Sequence, residues 1–128
     1  MKKKNIIRSL TFLSLFGLLV YITNFTDLKI FFIRVIEFSN YNGTYYYYQN
    51  RLKGETDSQR SKSYAHFLSQ NSNIEDKQLY RRFRMDLWRF WEWSDFYYFS
   101  DQYKLPYISE KEINENRKRE GLPPIVFD

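Results

Sequence analysis

Three tryptophans, Trp88, Trp91 and Trp93, fall within six positions of a 128-residue chain. The run around them, LYRRFRMDLWRFWEWSDFYYF over 79–99, adds Arg81, Arg82, Arg84 and Arg89. Trp, Tyr and Arg join a large apolar area to a polar or charged end. They dominate binding hot spots for that reason, and Trp and Tyr also settle at the lipid–water boundary. Read as a helix, the run carries an apolar stripe of Tyr80, Phe83, Leu87, Phe90 and Tyr97, interrupted by Ser94. A second stripe holds Trp88, Trp91, Asp95 and Tyr98. A helix apolar on two faces either meets two elements of its own fold or offers one face to a protein partner or a membrane surface. The candidate partner-binding set is therefore Trp88, Arg89, Trp91, Trp93, Tyr97 and Tyr98.

The charges in the run have two uses. Arg82, Asp86 and Arg89 have the spacing of an intrahelical ladder, and Arg89 stands four residues from Trp93, within cation–π reach on a helix. The alternative is an anion site for phospholipid headgroups or acidic glycans. Against it, Asp86, Glu92 and Asp95 alternate with the arginines and weaken the positive field.

Other chemistry is sparse. The chain has no Cys, which excludes disulfides, thiolate metal sites and a Cys nucleophile. His66 is the only His and reads as a structural side chain beside Tyr64 and Phe67. Asp86, Glu92 and Asp95 are the sole pairable carboxylates of the run, and spacing alone gives them no catalytic geometry. The glycines at 17, 43, 54 and 121 are too scattered for a phosphate loop. The expectation is a non-enzyme with no catalytic residue, no cofactor, no metal and no small-molecule ligand. Asn42-Gly43-Thr44 and Asn24-Phe25-Thr26 match the glycosylation sequon, which matters only in a eukaryotic secretory pathway.

The elements that must position the aromatic run begin with a membrane segment. Ser9 to Thr26 is uncharged, and at about 1.5 Å per residue it reaches roughly 27 Å, near the hydrocarbon thickness of a bilayer. Lys2, Lys3, Lys4 and Arg8 precede it and carry four of the 20 bases, leaving 16 against 15 acids in the rest of the chain. The net charge of +5 is thus mainly a property of the N-terminal tip, and it gives no case for nucleic-acid binding. No small-x-small pair follows the apolar core, so the segment reads as a retained signal-anchor and not a cleaved signal peptide. The basic tip places the N-terminus in the cytoplasm by the positive-inside rule, with the rest periplasmic or otherwise extracytoplasmic to a plasma (inner) membrane.

The organisation expected is a basic cytoplasmic tip (1–8), a transmembrane helix (9–26), a small extracytoplasmic domain (27–121) and an extended tail (122–128). Within the domain, Asn42-Gly43 suggests a tight turn in a β-hairpin from about Ile30 to Leu52, with a helix continuing from the span to Phe38 as the competitor. Tyr64, Phe67 and Leu68 have helical spacing over 57–70, with Thr56 or Asp57 as cap. Ile74 to Phe99 is free of Gly and Pro and is read as one long helix, forming an αα-hairpin with 57–70. Ser109 and Glu112 form a capping-box pattern for a short, solvated or partner-facing helix ending near Glu120, with Gly121 as its stop. The fold class is α+β, mainly α. The function this implies is an accessory or assembly subunit of a cell-envelope complex, bound to the bilayer and to protein. The rivals are a membrane-anchored glycan-binding module and a membrane-anchored immunity or inhibitor protein.

Overall fold

A computed structural model describes residues 2–127. Met1 and Asp128, the ends of the basic tip and of the tail, lie outside the described residues. The chain is mainly helical with one small antiparallel sheet of three strands. It divides into two compact units. The first holds the chain up to Ile33 together with Asp86–Tyr98; the second holds Arg34–Met85 and the chain from Phe99 onward.

In the first unit, helix α1 (Lys2–Phe25) runs 24 residues, about 36 Å. Its stretch Lys3–Phe25 is long and apolar enough to cross a membrane. Leu10, Phe12, Leu13, Leu15, Leu18 and Leu19 all stand exposed. A 3-10 helix, Asp27–Phe32, follows, with the Thr26 side chain accepting from the Leu28 N–H. This piece is where the sequence suggested the start of the hairpin. Its apolar residues Leu28, Ile30, Phe31 and Phe32 are exposed, so no sheet claims them. The unit is completed by a turn at 86–89, a 3-10 turn (Phe90–Glu92) and the short helix α3 (Trp93–Tyr98).

The second unit is built on strands β1 (Ile36–Ser39), β2 (Tyr46–Gln49) and β3 (Tyr80–Arg81), in the order β2-β1-β3. β1 and β2 form the expected hairpin in shortened form, with Phe38 opposite Tyr47 and Ser39 opposite Tyr46. The connection is not a two-residue turn with both positions at positive φ. Gly43 alone takes one, φ 68°, and no non-glycine residue among the described ones does. Asn40 instead closes a wider loop: its carbonyl accepts from Gly43 N–H, and its side-chain oxygen accepts from Tyr45 N–H. Asn42 is buried, accepts from the Thr44 N–H through its side-chain oxygen and donates to Glu120.

Helix α2 (Asp57–Gln70) forms as its pattern requires, with Thr56 and Gln59 in a reciprocal capping box. The long helix over Ile74–Phe99 does not form, and with it the αα-hairpin is lost. Leu79 and Phe83 face the core, with Tyr80 and Arg81 between them in β3 on the free edge of β1. The Arg82 N–H donates to Glu37 O, the Arg81 N–H to Pro106 O, and the Ile108 N–H to Arg81 O. Two neighbours thus supply backbone partners that a helix would have found within itself, so tertiary pairing overrides helical propensity. Helix α4 (Ser100–Lys104) and helix α5 (Glu110–Arg119) follow. The Ser109–Glu112 capping box and the Gly121 stop at φ 72° are as the sequence indicated.

The core of this unit is Ile36, Phe38, Tyr45, Tyr64, Leu79 and Phe83. Phe38 is fully buried, edge-on to Phe83 at 5.7 Å, with the Arg60 guanidinium 4.3 Å from its ring centre. Arg60 is itself buried, bonding Gln49 and Asp57. α5 is more than a solvated helix. Its Ile113 is fully buried, and Asn116, Arg117 and Glu120 bind the 40–45 loop through Tyr41 and Asn42. The extended tail is fastened by Asn114, which exchanges two hydrogen bonds with Ile125, and by Phe127 over Arg82 at 4.2 Å.

Candidate membrane and partner interface

The six residues singled out by the sequence all lie in the first unit, on the segment that packs against α1. The organising side chain is Asn24, which the sequence singled out only as part of a glycosylation sequon. It is only 4% exposed. Its amide NH2 donates to Phe90 O at 2.8 Å and to Val20 O at 2.9 Å, and its carbonyl oxygen accepts from Ser94 N–H at 2.8 Å. One side chain therefore satisfies the end of α1 and the start of α3. A second tie is Lys29, whose ammonium meets Asp95 at 2.7 Å and Ser94 Oγ at 2.5 Å. The available signals were an Asn inside an apolar run and a Lys just past it.

Aromatic rings complete the packing. Phe16 meets Phe90 at 5.4 Å and Trp93 at 6.3 Å, both edge-to-face, and Phe32 meets Trp91 at 6.2 Å. These are contact geometries worth about 0.5–1.5 kcal/mol per pair beyond area burial. Phe16, Val20 and Thr23 make the covered stripe of α1, at steps of four and three.

The six candidates separate into two groups. Arg89, Trp91 and Trp93 are engaged within the unit. Arg89 pairs with the buried Glu92 at 2.9 Å and lies over the Trp91 ring at 5.6 Å, not over Trp93. The Trp93 indole N–H donates to Leu87 O at 2.8 Å. Trp88, Tyr97 and Tyr98 stand open, at 90%, 82% and 62% exposure. The ladder expected from Arg82 through Asp86 to Arg89 is absent because the helix is absent. Arg82 pairs with Glu37 and Glu110, and Asp86 accepts from the Trp88 N–H. With its arginine paired, the segment presents aromatic surface and no free cationic cradle.

His66 is exposed on α2, and no group of metal-ligating side chains comes together among the described residues. Both sequon asparagines are buried with their amides bonded, Asn24 as above and Asn42 to Glu120 at 2.7 Å. The chain matches no family model, no curated protein and no solved structure.

Proposed function

We propose that the chain is a non-catalytic, single-pass membrane protein that serves as an accessory or assembly subunit of a cell-envelope complex. α1 crosses the plasma (inner) membrane with its basic end in the cytoplasm, and the second unit stands on the periplasmic or extracytoplasmic side. One observation carries this reading: outside the stripe that meets residues 90–94, α1 leaves its apolar side chains uncovered, a large exposure that in water has no compensation. Tyr97 and Tyr98, open at the end of α3, are assigned to a protein partner. The glycan reading has weaker support, because the polar groups that would flank a stacked sugar, Arg89 and Asp95, are already paired.

The test is extraction of tagged protein from its native membrane in mild detergent, with co-purifying chains identified by native electrophoresis and mass spectrometry. A stoichiometric partner that is lost on Tyr97→Ala/Tyr98→Ala, while both units stay folded, is the expected result. A lone monomer, or recovery unchanged by the double substitution, overturns it.

A further inference from the structure

We infer that residues 86–93 dip into the outer lipid–water interface beside α1, with Trp88 among the lipids. The inference rests on α1 spanning the bilayer and names what covers the part of the aromatic segment not assigned to protein.

Depth is the first argument. Phe90 and Trp93 touch Phe16, which lies roughly 13 Å back from the Phe25 end of α1. The backbone of the segment is held at Asn24, one residue from the outer end of α1, and the Phe90 and Trp93 rings reach from there to Phe16. With α1 filling the hydrocarbon layer, the segment therefore lies at the headgroup boundary. Irregular backbone at that depth is tolerated only if its polar groups are satisfied from within the protein. Here they are. The carbonyls of Asp86, Leu87, Trp88, Arg89 and Phe90 each accept a hydrogen bond, from Arg89 N–H, the Trp93 indole, Phe90 N–H, Glu92 N–H and Asn24 in turn. The amides of Trp88 and Ser94 are bonded to Asp86 and Asn24.

Charge is the second argument. Arg89 is paired with Glu92, Asp95 with Lys29, and Asp86 holds the turn. Surface loops in water have no need of this closure, because water supplies the partners. The apolar side chains left facing outward are Leu87, Trp88 and in part Trp93 on the loop, with the Asp86 carboxylate exposed beside them, and Leu28, Ile30 and Phe31 on the 3-10 helix that follows α1. Indole and aliphatic groups of this kind are favoured at the interface, where they anchor a span against vertical movement.

The test uses the full chain reconstituted in phosphatidylcholine vesicles. Trp88 emission is isolated as the difference between the natural chain and Trp88→Phe. It is challenged with lipids brominated near the glycerol end of the acyl chain and, separately, with aqueous iodide. Because the chain has no Cys, a single Leu87→Cys carrying a nitroxide gives an independent depth from oxygen and nickel-chelate relaxation. Blue-shifted emission quenched by brominated lipid, with Leu87→Cys shielded from nickel, is the expected result. Quenching by iodide alone, in protein that resists a urea wash of the vesicles, overturns the inference and leaves the anchor standing. Shielding from both quenchers overturns it in favour of a protein cover. Release by the urea wash overturns the anchor itself.

Discussion

Replacing Asn24 by Ala should unfasten the aromatic segment from α1 while leaving the second unit intact. The substitution removes the partner of the Ser94 N–H and one of the two donors to Phe90 C=O, which keeps the Trp93 N–H. One buried donor left unsatisfied costs about 1–3 kcal/mol, which is the loss expected for the docked state. At about 1.4 kcal/mol per tenfold, local opening should become roughly 5- to 140-fold more frequent. The assay is hydrogen exchange by mass spectrometry in nanodiscs, following peptides over 86–98 against those over α2 and β1. Asn24→Asp should be intermediate, because it keeps an acceptor for Ser94 N–H and places a carboxylate against Phe90 C=O. Exchange over 86–98 unchanged in Asn24→Ala would refute the assignment of Asn24 as the fastening residue. Equal acceleration over α2 would refute the independence of the two units.

Phe38→Ala should cost about 3–5 kcal/mol, because a fully buried ring in contact with Phe83 and the Arg60 guanidinium is lost; chemical denaturation read by circular dichroism checks it. Gly43→Ala should destabilise the 40–45 loop by about 1–3 kcal/mol, since the position is at φ 68° and a Cβ would stand 2.9 Å from both Ile113 and Ile125; thermal melting reads it. Burial, with Asp76 nearby, pushes Tyr64 and Tyr80 up to about 12, and burial with Glu120 does the same for Tyr41. These phenols stay protonated in the folded unit after the unfolded chain has released its protons. Their stabilisation is therefore complete below about pH 10 and falls as pH rises towards 12. Phenolate absorbance should rise together with loss of far-ultraviolet dichroism in that window, and early ionisation of all twelve tyrosines without unfolding would contradict it.

Legibility in the sequence followed the range of the interactions. α2, α5 and the Gly121 stop were readable because caps and glycine stops act within four residues. The apolar span was readable from length and composition. The segment 74–99 was misread because Tyr80, Phe83, Leu87 and Phe90 step by three and four as a helical stripe does, whereas Phe83 shares its core side with Leu79, four back along an extended edge. What decides between them is the free edge of β1 and the Pro106 carbonyl, which no local window contains. The candidate interface was half legible: its aromatic residues were named, but the division into engaged and open ones depends on Asn24 and Phe16, some 66 and more positions away.

The return of residues 86–98 to α1 decides how this protein can be handled. Cutting the chain after an apolar N-terminal helix such as α1 is the usual route to a soluble fragment. Here that cut would strip Phe90 and Ser94 of Asn24, and the indole of Trp93 of Phe16. The fragment would carry a sticky, partnerless aromatic loop in the middle of its sequence and would self-associate. A soluble version requires removal of both pieces of the first unit together, the N-terminal piece by truncation and 86–98 by exchange for a polar linker.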